Sequence, residues 1–270
     1  VKESLDVNGT IKLDGNYPTG TCNVALGDNA LGSGSLSGDF NTAVGTNALL
    51  ANTSADANTA IGRSSLCSNT TGNCNTGLGM NALLGNTEGF GNVAVGRSSM
   101  VANTTGDNNV AVGQNSLVSN TTADNNTAVG TCSLTANTTG NANTAVGITS
   151  LQANTTGANN VAVGRCALYS NTTASDNTAV GVSSMGLTTT GCQNTAVGQQ
   201  SLRTNSTGDN NTALGFYALC SNTTADNNTA VGFCSLKTNS TGANNTAVGR
   251  FALLLNQTGA TNTAVGQNSL

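Results

Sequence analysis

The sequence predicts an all-β fold, a parallel β-solenoid or β-roll with one coil per 17-residue repeat. Three observations predict it. First, the pentapeptide N-[TV]-[AG]-[VIL]-G begins at Asn23, Asn41, Asn58, Asn75, Asn92, Asn109, Asn126, Asn143, Asn160, Asn177, Asn194, Asn211, Asn228, Asn245 and Asn262. From Asn41 to Asn262 the spacing is 17 without exception, 13 intervals across 221 residues; one extra residue in "GSGSLSGDF" makes the first interval 18. Second, counting from the first Asn, every repeat carries Val, Ile or Leu at position 4 and Leu or Met at position 9. Third, the remainder, typically NTTGxN, is Asn and Gly turn chemistry. Seventeen residues with Gly at fixed intervals cannot hold two helices, which excludes an α-solenoid. One coil alone cannot bury its two apolar residues. Stacked coils bury a continuous column and pair each backbone N–H and C=O with the coils above and below.

The elements follow in chain order. Residues 1–22, with "SLDVNGTIKLDG" at their centre, form an N-terminal lead-in strand segment, and residues 23–270 form the solenoid array of 15 copies, which stops at position 9 of its last repeat. That stop, and Val1 in place of Met, are read as cut ends of a longer protein. Within N-T-A-V-G, positions 2 and 4 share a face because strand side chains alternate. The expected core columns are therefore Val44, Ile61, Val95 and Val129 at position 4, opposed by Leu49, Leu66, Leu134 and Leu151 at position 9. A second short strand is expected to centre on position 9, reached through the Gly at position 5. The Asn at position 1 suits a turn, and stacked copies can bond along a ladder of amides. At roughly 4.8 Å per coil, 14 strict coils make a rod on the order of 65–70 Å long.

Composition removes several function classes. Charged residues make up 7% of the chain against about 25% in an average protein. The formal net charge is −4 with eight Lys and Arg, which argues against a nucleic-acid partner, since that needs clustered cations. No apolar run approaches 18 residues, so no membrane-inserting helix is expected. There is no His, the common base for a Ser or Cys nucleophile, and the chain is expected not to be an enzyme and to need no cofactor.

Four sets of residues remain as candidate chemistry. Sequons recur at position 12, from Asn52 and Asn69 to Asn256, but acceptors one strand apart are too crowded for a glycan each, so turn and ladder roles are expected. Eight cysteines offer no equal-position pair on adjacent coils, so free thiols are expected. Asp107 stacks over Asp124 and Asp209 over Asp226 at position 16, weak candidates for calcium ligands. Position 6 varies between basic and apolar residues, and Arg63, Arg97, Arg165, Phe216, Phe233 and Arg250 form a candidate exposed recognition column. The small residues at positions 3 and 8 are expected to let neighbouring chains approach closely, which favours a trimer.

At Val93–Gly96, Val110–Gly113 and Val161–Gly164 the pattern resembles the S-V-A-I-G repeats of trimeric autotransporter adhesin heads. Across nearly the whole chain, "SLDVNGTIKLDG" leading into NTAVGxxSLxxNTTGxN arrays is similar to tail-fibre-like proteins of bacteriophages and marine bacteria. That resemblance implies a homotrimeric extracellular fibre on a virion or bacterial surface, with a host-cell receptor or glycan as partner. A bacterial adhesin and an ice-binding solenoid are the alternatives.

Overall fold

The computed structural model describes residues 20–270. The expected lead-in strand at 1–22 falls almost wholly outside the described residues. The rest is a parallel β-solenoid with one three-residue strand per coil. The strands are β1 (Val24–Leu26), β2 (Thr42–Val44), β3 (Thr59–Ile61), β4 (Thr76–Leu78), β5 (Val93–Val95), β6 (Val110–Val112), β7 (Thr127–Val129) and β8 (Thr144–Val146). They continue as β9 (Val161–Val163), β10 (Thr178–Val180), β11 (Thr195–Val197), β12 (Thr212–Leu214), β13 (Thr229–Val231), β14 (Thr246–Val248) and β15 (Thr263–Val265). They form one 15-stranded sheet in sequence order, every pairing parallel and in register, so like positions stack (Thr127 on Thr144, Ala128 on Ala145). The 18-residue first interval does not break the register: Val24 pairs with Thr42.

The coil 126–142 shows how the rest of the chain closes. Gly130 leaves β7 at φ +135°, and a Cβ there would sit 2.6 Å from the Gly147 carbonyl oxygen of the next coil. No L-residue with a side chain fits that combination, which is why position 5 is always Gly. A turn follows, closed by Ser133 N–H donating to Gly130 O (3.3 Å), and a second, closed by Asn137 N–H donating to Leu134 O (3.3 Å). Between them the backbone bonds to adjacent coils, as where Leu134 N–H donates to Ser150 O (3.0 Å).

Two expectations need correction here. The second strand at position 9 is absent among the described residues. Leu134 has φ +49°, and the same left-handed conformation recurs at Leu49, Leu66 and Leu151. For a residue with a Cβ that conformation costs about 1–2 kcal/mol. Full burial of a Leu side chain returns roughly 1.5–3 kcal/mol, and these leucines are 0% exposed. Burial wins, because the left-handed bend is what aims position 9 inward.

The second correction reverses the strand. Ala43, Ala60, Ala94 and Ala128 at position 3 are 0% exposed, while the position 4 residues face out. Ile61 is 39% exposed, and Val44, Val95 and Val129 are half-buried. The core column is therefore Ala against Leu, not Val against Leu. A 17-residue coil is too narrow for more. At Gly77, the one glycine at position 3, a Cβ would meet the Ser65 Oγ at 2.4 Å, because that hydroxyl turns to donate to Gly77 O (2.8 Å).

Candidate interaction surfaces

Two buried amide columns fill the rest of the interior. At position 1, Asn143 N–H donates to Asn126 Oδ1 (2.9 Å), and Asn143 Nδ2 donates to Gly157 O (2.8 Å). At position 12, Nδ2 donates to Oδ1 of the Asn one coil back along most of the column: Asn86 to Asn69 (2.8 Å), Asn103 to Asn86 (2.7 Å), Asn120 to Asn103 (2.8 Å). The same nitrogens donate to the position 15 carbonyl of their own coil, as from Asn103 to Gly106 O (2.9 Å). The sequon asparagines Asn52, Asn69, Asn103 and Asn120 are thus 0% exposed and bonded through the nitrogen that a glycan would need. They are ladder residues. The ladder is interrupted where Thr188 replaces Asn, which leaves both its own Oγ1 and Asn171 Oδ1 buried without a partner. A third such atom, Asn126 Nδ2, lies in an otherwise regular coil and has no evident cause.

Position 16 has a role that sequence reasoning missed. Its side-chain oxygen accepts the backbone N–H of the same position one coil back: Phe90 N–H to Asp107 Oδ1 (2.8 Å), Asp107 N–H to Asp124 Oδ1 (2.8 Å), Cys192 N–H to Asp209 Oδ1 (2.7 Å), Asp209 N–H to Asp226 Oδ1 (2.8 Å). Asn141 does the same for Asp124 N–H (2.8 Å) and Ser175 for Ala158 N–H (3.0 Å). The alternation of Asp, Asn and Ser along this column was the available signal: all carry a short side-chain acceptor. Stacked Asp pairs supply few of the six to eight oxygens calcium takes, and no group of three or more His, Cys, Asp and Glu sits together among the described residues.

The small residues at positions 3 and 8 are unavailable to a neighbouring chain. Ala128, Ser133, Ala145 and Ser150 are 0% exposed inside their own coil. What the coil shows outward is position 2 (Thr or Val) and position 4 (Val, Ile or Leu), two columns on one strand face. Position 4 is 36–43% exposed at Val163, Val248, Ile61, Val197 and Leu78.

The six residues of the recognition column at position 6 separate into two kinds. Arg63, Arg97 and Arg165 are exposed and stand two to four coils apart. Phe216, Phe233 and Arg250 come together on successive coils. The two Phe rings stack at 5.6 Å with an interplanar angle of 8°, and Phe251 packs edge-on against Phe233 at 5.4 Å. The Arg250 guanidinium lies 4.3 Å from the Phe251 ring centre, and Lys237 Nζ 5.3 Å from that of Tyr217, both within cation–π range. On the three coils that precede this cluster, a notch of about 150 Å³ is lined by Cys166, Tyr169, Ser183, Gly186, Leu187 and Arg203, where Gly186 leaves the position 10 column without a side chain.

All eight cysteines are free thiols. Burial pushes the Cys67, Cys220 and Cys234 thiols above the ordinary value; at Cys220 the nearby Arg203 and Lys237 charges partly oppose it. No helix among the described residues is long and apolar enough to cross a membrane. No protein-family model matches the chain, and no curated protein is significantly similar to it.

Proposed function

We propose that the chain is the shaft of an extracellular fibre, most simply a homotrimeric bacteriophage tail fibre that holds a receptor-binding end away from the particle. The observation that carries this is the single 15-stranded sheet in unbroken register, a rod whose length grows by one strand spacing per repeat. The resemblance to tail-fibre arrays and trimeric adhesin heads supports the assignment. The chain is non-catalytic and needs no cofactor; the absence of His from the sequence supports this. The aromatic and cationic cluster at Phe216, Phe233, Arg250 and Phe251 is the best place along the shaft for a host receptor or glycan. Antibody raised against the chain should decorate tail fibres of intact virions in electron micrographs. Decoration of bacterial cells alone would overturn the virion assignment and leave a surface adhesin.

One observation favours a second function. Positions 2 and 4 together present an in-register array of Thr and Val, a regular hydroxyl and methyl grid of roughly 4.8 by 7 Å. Such a grid suits an ice-binding face. A monomeric chain that produces thermal hysteresis, lost on changing Thr127 and Thr144 to Lys, would establish it over the fibre.

A further inference from the structure

The charges of this rod are sorted by side. Every described cation is at position 6 (Arg63, Arg97, Arg165, Arg250) or position 10 (Arg203, Lys237). The acidic residues, apart from Asp28 at position 6, are at positions 14, 16 and 17 or their equivalent in the first coil: Asp39, Asp56, Glu88, Asp107, Asp124, Asp176, Asp209 and Asp226. Positions 16 and 17 precede each strand and position 6 follows it. The exposed Thr/Val face is therefore bordered by an acidic margin along one side and a basic margin along the other.

We propose that this face binds a second copy of the same chain, parallel and in register, with the basic margin of one copy, carried by Arg63, Arg97 and Arg165, against the acidic margin of the next. The inference rests on the side-by-side bundle proposed above and names its contact. The position 4 residues form an unbroken, partly exposed apolar column along the coils, and a contiguous apolar patch rimmed by charge marks an interaction surface. Symmetry selects the orientation. Turning one copy about an axis parallel to the rod swaps left and right and keeps height, so acid meets base at the same coil. Turning it about an axis across the rod sets like charge against like.

The heights agree with the parallel arrangement. Arg63 lies seven residues from Asp56, Arg97 ten from Asp107 and Arg165 eleven from Asp176, each less than one 17-residue turn along the axis. Arg250 has no acid within a turn and lies on Phe251 instead. The negative charge is also surplus to the fold. Asn141 accepts the same backbone bond as Asp107, so Asp is not required by the coil, and Asp107 above Asp124 adds repulsion that a partner's cation relieves.

The test compares the natively assembled chain with R63E/R97E/R165E, which alters only exposed side chains, by light scattering over a salt series. The wild type should assemble, and the variant should assemble at least tenfold more weakly at low salt, the difference shrinking as salt screens the margins. With R97K, a zero-length carbodiimide link should join residue 97 to Asp107 of another copy. Equal assembly of the variant, or links from residue 97 to distant acids such as Asp209, would overturn the contact while leaving the bundle intact. A monomeric wild type would overturn both the contact and the bundle.

Discussion

Ala128 and Val129 are chain neighbours, yet one is sealed inside the coil and the other looks out. The inner side of the wall holds Ala, Ser, Leu and paired amides at 0% exposure. The outer side holds Thr and Val in columns just as regular but half-exposed. Equal regularity therefore has two causes. Inside, each residue is fixed by the width of the coil and by a hydrogen bond to the coil above or below. Outside, Val at position 4 stacks in register on the same position of the next coil, as Val129 does on Val146, and stays half-exposed, so its own chain does not cover it.

The largest effect expected from this contrast is at Ala128. Ala128→Asp puts an uncompensated charge among Leu and Ala, which costs about 3–5 kcal/mol. Because a solenoid couples only neighbouring coils, hydrogen exchange should speed up in residues 109–159 and stay slow near the ends. Next comes the gap in the inner wall. Thr188→Asn restores a donor for Asn171 Oδ1 and an acceptor for Asn205 Nδ2, and should stabilise the adjacent coils by about 1–2 kcal/mol. No gain in local exchange protection would show that the amide ladder matters less than its geometry indicates.

Val129→Asp tests the outer side. The isolated coil should lose no more than about 0.5 kcal/mol, the usual range for a surface change, whereas assembly measured by light scattering should fall sharply. A melting loss equal to that of Ala128→Asp would return Val129 to the core.

The smallest effect is at the thiols. Exposed Cys22 and Cys74 should alkylate first at pH 8, and buried Cys220 and Cys234 last, read by mass spectrometry. Their raised pKa values add to the protection by lowering the thiolate fraction. The sign for stability follows: the folded state holds these protons more tightly, so their contribution is present at neutral pH and fades as pH climbs past the ordinary thiol value. Reductant should leave the melting temperature unchanged.

The exposure of the position 6 residues Arg63, Arg97, Arg165, Phe216, Phe233 and Arg250 was legible in the sequence. Position 6 stood out because it alone mixes Arg and Phe beside an invariant Gly. Its division into lone arginines and one aromatic cluster was not legible, because ring contacts depend on side-chain directions. At position 16 the stacked Asp make only weak calcium candidates in the sequence, while Asn141 and Ser175 in the same column share with them a side-chain acceptor for the backbone N–H one coil back.

By itself the sequence determined the period, the coil per repeat, the parallel stacking and the glycine at position 5. Each of these follows from a local rule: the turn residues recur every 17 positions, and a chain that repeats its turns must repeat its path. Only the tertiary structure decided which side of the strand is inside. Alternation defines two faces and is silent on which one is buried, and hydrophobicity favoured Val at position 4. The cross-section overruled it. With Leu at position 9 bent inward by a left-handed backbone and two asparagine columns occupying the ends, the space left opposite the strand admits a methyl group and little more.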